Sequence, residues 1–221
     1  VRRPEEFDAK TIQAKYWAMI ELIDDAVGSM LKGLEESGQL ENTVVIFTSD
    51  HGEMAGDHGL LLKGCRFYEG LVRVPLVISW PGRFKQGLRS EALVELTDIT
   101  PTLLELVGLD VPETMQGKSL LPLLTGEQQD VPHREFVRCE YYRALRGVQS
   151  FGTMIRTKQH KLTVYHGHEF GELFDMQNDP DEFENLWDSP KHADIRFDLL
   201  RKNFDALALS TDVGAKRTAR Y

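Results

Sequence analysis

The chain reads as an α/β fold with a largely parallel sheet, continuing into a smaller α+β region, and three observations predict this. Between about Asp8 and Ser37, the apolar residues Ile20, Ile23, Val27, Met30, Leu31 and Leu34 recur at three- and four-residue spacing, the period of a helix with one apolar face. Two short runs, the apolar and β-branched Val44–Phe47 and then Val74–Ile78, read as buried strands of a parallel sheet. Beyond Pro132 the pattern changes to short strand-like runs separated by turn residues and closed by a long helical stretch.

The first helix is ended by Gly38, a residue suited to the left-handed conformation past a helix terminus, and its apolar face is expected to cover a sheet. Asp24 and Asp25 are adjacent carboxylates on this helix and read better as solvated charge than as metal ligands. After the two strands, Asp98–Leu106 forms a second helix, with Thr100 as capping hydroxyl and Pro101 in the first turn. Gly, Pro and polar residues then cluster from Gly108 to Pro132 around a short apolar turn, Ser119–Leu124, and divide the chain into residues 1–125 and 126–210. In the second part Glu135–Tyr142, Thr153–Thr157, Lys161–Tyr165 and Glu172–Asp175 read as strands and Pro190–Leu209 as a covering helix. Residues 211–221, rich in Lys, Arg, Thr and Ala, read as a frayed tail.

Composition narrows the classes of partner. With 221 residues, 41% of them hydrophobic and 28% charged, the chain can bury a sizeable core in one or two domains. A formal net charge of -9 argues against nucleic acid or an anionic membrane as a partner of the whole surface, so an anionic ligand must be held by local positive charge. No apolar run approaches the roughly eighteen residues of a membrane helix. Cys65 and Cys139 form neither a disulfide framework nor a zinc spacing and read as free, partly buried thiols. Nothing in the sequence names a compartment, and a homo-oligomer is compatible with it.

The chemistry concentrates in Thr48–Arg73, TSDHGEMAGDHGLLLKGCRFYEGLVR. Asp50 and His51 follow the Val44–Phe47 strand directly, and ligands of open α/β sheets gather outside the carboxyl ends of strands. A carboxylate suits hard divalent cations and an imidazole tolerates several metals, so the pair could hold one ion with further donors supplied from elsewhere. Lys63 stands thirteen positions after Asp50 in a Gly-flanked loop with Glu53, Asp57 and His58, where an ammonium could fold back toward an anion at the metal. The plainer readings are a turn-capping Asp50, a loop histidine at His51 and a solvated Lys63. Asp57 and His58 stand evenly between supporting groups around the site and ordinary loop solvation.

The order S-D-H-G-E, G-D-H-G, L-K-G, F-Y-E-G, R-V-P-L-V-I and W-P-G resembles the second half of the sulfatase family, within the alkaline phosphatase superfamily. Thr97–Leu104 resembles that family's T-D-I-x-P-T-L-L helix start. Gly171–Asp175, with Asn178-Asp179-Pro180, Glu184, Asn185 and Leu186, resembles its E-L-Y-D-x-x-x-D-P-x-E-x-x-N-L element. The likeness runs from about Tyr16 to Leu186. It implies part of an α/β/α sandwich followed by an antiparallel subdomain with a covering helix. It also implies Asp50 and His51 as ligands of one divalent cation, usually calcium in sulfatases, and Lys63 as the contact to substrate sulfate, with His58 a weaker candidate for substrate binding. Many members carry Asn where this chain has His51, which opens the metal to manganese, iron or zinc.

The resemblance also implies a formylglycine nucleophile, made from Cys or Ser in C/S-x-P-x-R, and an early Asp pair from the first strand. Neither lies in this chain, so the expectation is a carboxy-terminal piece of a longer enzyme, inactive by itself. Ser79-Trp80-Pro81-Gly82-Arg83 satisfies S-x-P-x-R literally, but it leaves a strand through a Pro-Gly turn and follows the metal pair instead of preceding it. His160, His166 and His168 form a second cluster that reads better as a solvated hairpin than a metal site, although the family's subdomain often walls the substrate pocket, giving these histidines or Arg143 a route to substrate. The expected function is hydrolysis of the sulfate ester of a small molecule or glycan. Alternatives are a phosphodiesterase or phosphonate monoester hydrolase of the same superfamily, or a non-catalytic domain binding sulfated glycans.

Overall fold

The computed structural model describes residues 8–127, 132–143 and 150–211. The expected tail, all but Thr211, and residues 1–7 lie outside these. Helix α1, Ala9–Glu36, starts where the Asp8 carboxylate accepts from the backbone and hydroxyl of Thr11 and is left through Gly38 at φ 70°. Its apolar residues do not cover a sheet among the described residues. No α1 residue is buried, and Trp17, Leu22 and Met30 stand largely in the open. The periodicity fixed the helix, but a periodic apolar face says nothing of what packs on it.

Strands β1, Val45–Thr48, and β2, Leu76–Ser79, pair antiparallel, with Val45 opposite Ser79 and Thr48 opposite Leu76. The expected largely parallel arrangement is not met by this pair. A β-branched run reports extension only: no residue of β1 or β2 is buried, against the expected burial on both faces, and direction is set by where the connection returns. Here it returns beside its own origin, so the whole loop from Ser49 to Pro75, including the short helix α2, Glu69–Val72, is an excursion from one end of the β1–β2 pair. Phe47 and Val77 on this pair are exposed.

Helix α3, Ile99–Leu106, does not begin with the expected Thr100 cap. The start is set one turn earlier, where Glu95 and Asp98 bracket a 3-10 turn in a reciprocal capping box, the Glu95 N–H donating to Asp98 Oδ2 at 2.8 Å. Asp98 is fully buried and also accepts from the Lys118 N–H at 2.7 Å and pairs with Arg134. Helix α4, Leu121–Thr125, occupies the expected apolar turn.

The second region matches its expectation strand by strand. β3, Val137–Tyr142, β4, Phe151–Arg156, β5, His160–Tyr165, and β6, Gly171–Asp175, form an antiparallel meander in that order. Helix α5, Ala193–Leu209, lies over it, burying Leu199 against Ile155, Leu162 and Leu173. The Trp187 ring packs so closely on Gly171 that a Cβ there would overlap it, which is why that strand opens on glycine. The sheet is also tied to the first region. Arg138 N–H donates to Glu95 Oε1 at 2.7 Å, and the Tyr141 hydroxyl donates to Cys65 O at 2.6 Å.

Candidate active site

The Asp50–His51–Gly52 turn lies just past the end of β1. His51 N–H donates to Asp50 Oδ1 at 3.0 Å, and Gly52 N–H donates to Leu71 O, across the excursion, at 2.7 Å. Gly52 presses on the Gly70 carbonyl so tightly that a side chain on it would run into that oxygen. Glycine at position 52 is therefore a contact requirement of the site.

The imidazole is oriented by donor and acceptor logic. His51 Nδ1 lies 2.8 Å from Gly52 O, which can only accept, and Nε2 lies 2.7 Å from Lys63 Nζ, which as an ammonium can only donate. Both contacts are satisfied by the neutral ring protonated on Nδ1, with the Nε2 lone pair outward. Asp50 Oδ2 stands 3.7 Å from that same Nε2. Asp50 is 87% exposed, and its carboxyl is held below the ordinary carboxylate range chiefly by the His51 backbone N–H, with Lys63 a smaller contributor. Asp50, His51 and Lys63, predicted together from the sequence, thus meet at one point.

Lys63 reaches back because its loop is tightly turned. Leu62 and Gly64 on either side adopt φ of 63° and 56°, and Glu53 Oε1 accepts the Leu62 N–H at 2.5 Å and the Ala55 N–H at 3.3 Å. A left-handed leucine is uncommon and persists only where its surroundings enforce it. Glu53 is that enforcement, a role the sequence did not reveal. The donor set suits a divalent ion: one ionised carboxylate and one imidazole whose lone pair is fixed by a carbonyl on the opposite nitrogen, the usual arrangement for a metal-binding histidine. Among the described residues no three His, Cys, Asp or Glu side chains gather into a metal-holding group, so the pair needs further donors.

Other candidates are placed differently. His58 stacks on Tyr68, centroids 4.1 Å apart, and lies 5.0 Å from the Phe183 ring, so its faces are taken up by aromatic packing. His166 Nε2 is 2.9 Å from Thr153 Oγ1, His168 lies against Phe170, and they do not converge with His160 on a common point. Arg143 sits with its guanidinium over the Phe151 ring. Ser79 is paired within β2, and the Trp80–Gly82 turn after it is held by Trp80 Nε1 donating to Glu41 O at 3.0 Å. Asp57 is exposed. Both cysteines are free, and burial raises the Cys139 thiol.

The sequence reading passed over Lys161, Glu69 and Glu182. Lys161 is 1% exposed and Glu182 4%, and they form an ion pair. Glu184, singled out in the Asp179-Pro180 element, is exposed, and it is Glu182 that stands three residues after Asp179 and turns inward. The signal available was the D-P-x-E spacing itself.

Residues 56–208 match the family described as N-sulphoglucosamine sulphohydrolase, C-terminal, and residues 6–95 match a family of unknown function. An arylsulfatase of Clostridium perfringens is 36% identical over 200 residues, covering 87% of this chain and 39% of that protein. Among solved structures, a protein in complex with its substrate D-glucosamine-2-N,6-O-disulfate superposes with a TM-score of 0.80 at 31% identity, over 92% of this chain and 42% of the other. The phosphonate monoester hydrolase of Agrobacterium radiobacter superposes with a TM-score of 0.82 at 30% identity, over 92% and 42%. The chain thus spans about two fifths of the length of these relatives.

Proposed function

The chain belongs to the sulfatase family, matching its carboxy-terminal region, and we propose that it carries the metal-binding and anion-binding half of a sulfate ester hydrolase. The observation that carries this reading is the convergence of Asp50, His51 and Lys63, with Lys63 Nζ 2.7 Å from an outward His51 lone pair. Asp50 and His51 would hold one divalent ion, calcium or manganese, together with donors outside this chain. A dication there would neutralise charge on a sulfuryl oxygen. Lys63 would act on the same anion: its ammonium rests on the atom the ion would take up and is the group free to turn to a sulfate oxygen. Fixed positive charge aimed at developing negative charge is often the largest catalytic contribution. His58, stacked on Tyr68, would bear on substrate only by shaping the loop that carries Lys63. The substrate would be a sulfated small molecule or glycan.

A second reading, a phosphonate monoester hydrolase or phosphodiesterase, is favoured by the superposition on the Agrobacterium enzyme. The complete natural chain, assayed with an aryl sulfate, an aryl phosphonate monoester and a bis-aryl phosphate, with calcium and then manganese, separates the two. A higher kcat/KM for the sulfate supports the first reading, and a higher value for either phosphorus ester supports the second. Asp50→Ala should abolish bound metal and turnover together. Retained metal in that variant would remove Asp50 from the ligand set, and no turnover of any ester by the unaltered protein would leave glycan binding as the function.

A further inference from the structure

We infer that the buried pair of Lys161, on β5, and Glu182, in the turn after β6, is a positioning device for His51, acting on the Glu69 helix through the Gly70–Gly52 contact. The inference rests on the reading of Asp50 and His51 as ion ligands.

The connection runs through named atoms. Lys161 on β5 donates to Phe67 O at 2.8 Å and to Glu69 Oε1 at 3.1 Å, and Arg156 Nε on β4 donates to the same Glu69 Oε1 at 3.1 Å. Glu182 Oε2 accepts the Glu69 backbone N–H at 2.7 Å. The backbone at residues 67 and 69 is therefore pinned to the sheet from both sides. The next residue, Gly70, supplies the carbonyl against which Gly52 is pressed, and Leu71 O accepts the Gly52 N–H. Gly52 O in turn accepts from His51 Nδ1 and sets the direction of Nε2. A shift of the α2 start would thus reach the imidazole through two peptide units.

Two features mark this network as built for position and not for burial alone. Glu182 holds a left-handed backbone at φ 60°, a costly conformation for a non-glycine residue, kept in place by its N–H donating to Asp179 O at 3.1 Å. Buried ion pairs are also a poor source of stability, because desolvation offsets much of their attraction. A sheet that needed only cohesion would be served as well by apolar residues at positions 161 and 182. The pair instead places two charge-assisted hydrogen bonds on backbone atoms two residues apart, in the segment that abuts the site.

The test compares Glu182→Gln with Glu182→Leu in the complete natural chain. The amide variant keeps an acceptor for the Glu69 N–H and the leucine does not. Readouts are native-state hydrogen exchange at the Gly52 amide, calcium and manganese affinity by calorimetry, and kcat and KM with an aryl sulfate. Glu182→Leu should expose the Gly52 amide to exchange while the β4–β5 amides stay protected, and should weaken ion binding by about 10–100-fold, the effect of losing a group that orients a ligand. It should lower kcat more than it raises KM, and Glu182→Gln should restore most of each property. If Glu182→Leu does not fold, the apolar double variant Lys161→Met/Glu182→Leu is read in the same way. Native exchange at Gly52 and native ion affinity in a folded leucine variant would overturn the inference. If the unaltered protein binds no ion but the Gly52 amide still responds, the mechanical coupling stands and the ion-ligand reading falls.

Discussion

In the sheet of β3–β6, Ile155, Leu162 and Leu173 are wholly enclosed, whereas on α1 Trp17, Leu22 and Met30 are each more than 60% exposed. The sequence predicts both elements, the sheet from short runs bounded by turn residues and the helix from an apolar period of 3.6. Only the first meets a partner surface among the described residues, because α5 lies on its sheet. The candidate site has the opposite distribution. The region with the closed core contributes none of Asp50, His51 and Lys63, and the region with open apolar faces contributes all three. The candidate loop buries Met54, Phe67 and Leu71 but leaves its polar groups accessible and tightly turned, so part of its shape is held from outside. In this chain the holding groups, Lys161, Arg156 and Glu182, come from the sheet region.

The largest expected effect tests the closed core. Leu162→Ala should cost about 2–5 kcal/mol, the range for a leucine truncated in a core that cannot collapse around the gap. Urea unfolding followed by the far-ultraviolet signal measures it, and a loss below about 1 kcal/mol would mean that the sheet is less self-contained than its burial indicates. Lys63→Ala tests the other side of the contrast. Turnover should fall by roughly a hundredfold, about 2.7 kcal/mol of transition-state stabilisation, with the thermal midpoint nearly unchanged. Unchanged kinetics would return Lys63 to the solvated surface.

A smaller effect concerns the join between the regions. His133 is buried with Nε2 3.5 Å from Asp98 Oδ2, and burial lowers its affinity for a proton, against the pull of Asp98 and helped by Arg134 and Lys118. Below its unfolded value of 6.5 the unfolded chain takes up a proton that the folded chain refuses. Stability from this group is therefore full above that pH and declines as pH falls from 6.5 toward the lower folded value. The urea midpoint, followed from pH 7.5 to 5.5, should drop more steeply for the unaltered protein than for His133→Gln, and parallel curves would show that His133 titrates alike in both states. The smallest effect is on α1: Leu22→Gln should change the stability of this chain by no more than about 0.5 kcal/mol, as expected at an exposed position. A larger loss, measured by the same urea titration, would reveal a covering surface on that helix and erase the contrast with the sheet.

The sequence alone determined the elements and singled out Asp50, His51 and Lys63 as the candidate site. Strand and helix ends fell within a few residues of their expected positions, since Gly38, Pro190 and the turn residues that bound the short strand runs act locally, through backbone geometry. Asp50, His51 and Lys63 were found because motif order and placement after a strand are also local facts. What only the tertiary structure decided is everything that depends on contacts distant in sequence: the antiparallel return of β2, the turn that brings Lys63 onto His51, and the inward turn of Glu182 where Glu184 had been chosen. A carboxylate on an exposed turn and one closing a buried ion pair read the same in one dimension. They differ in whether the chain brings a cation and a backbone N–H to meet them, and Lys161 and Glu69 reach Glu182 from a strand and a helix start that no local pattern connects.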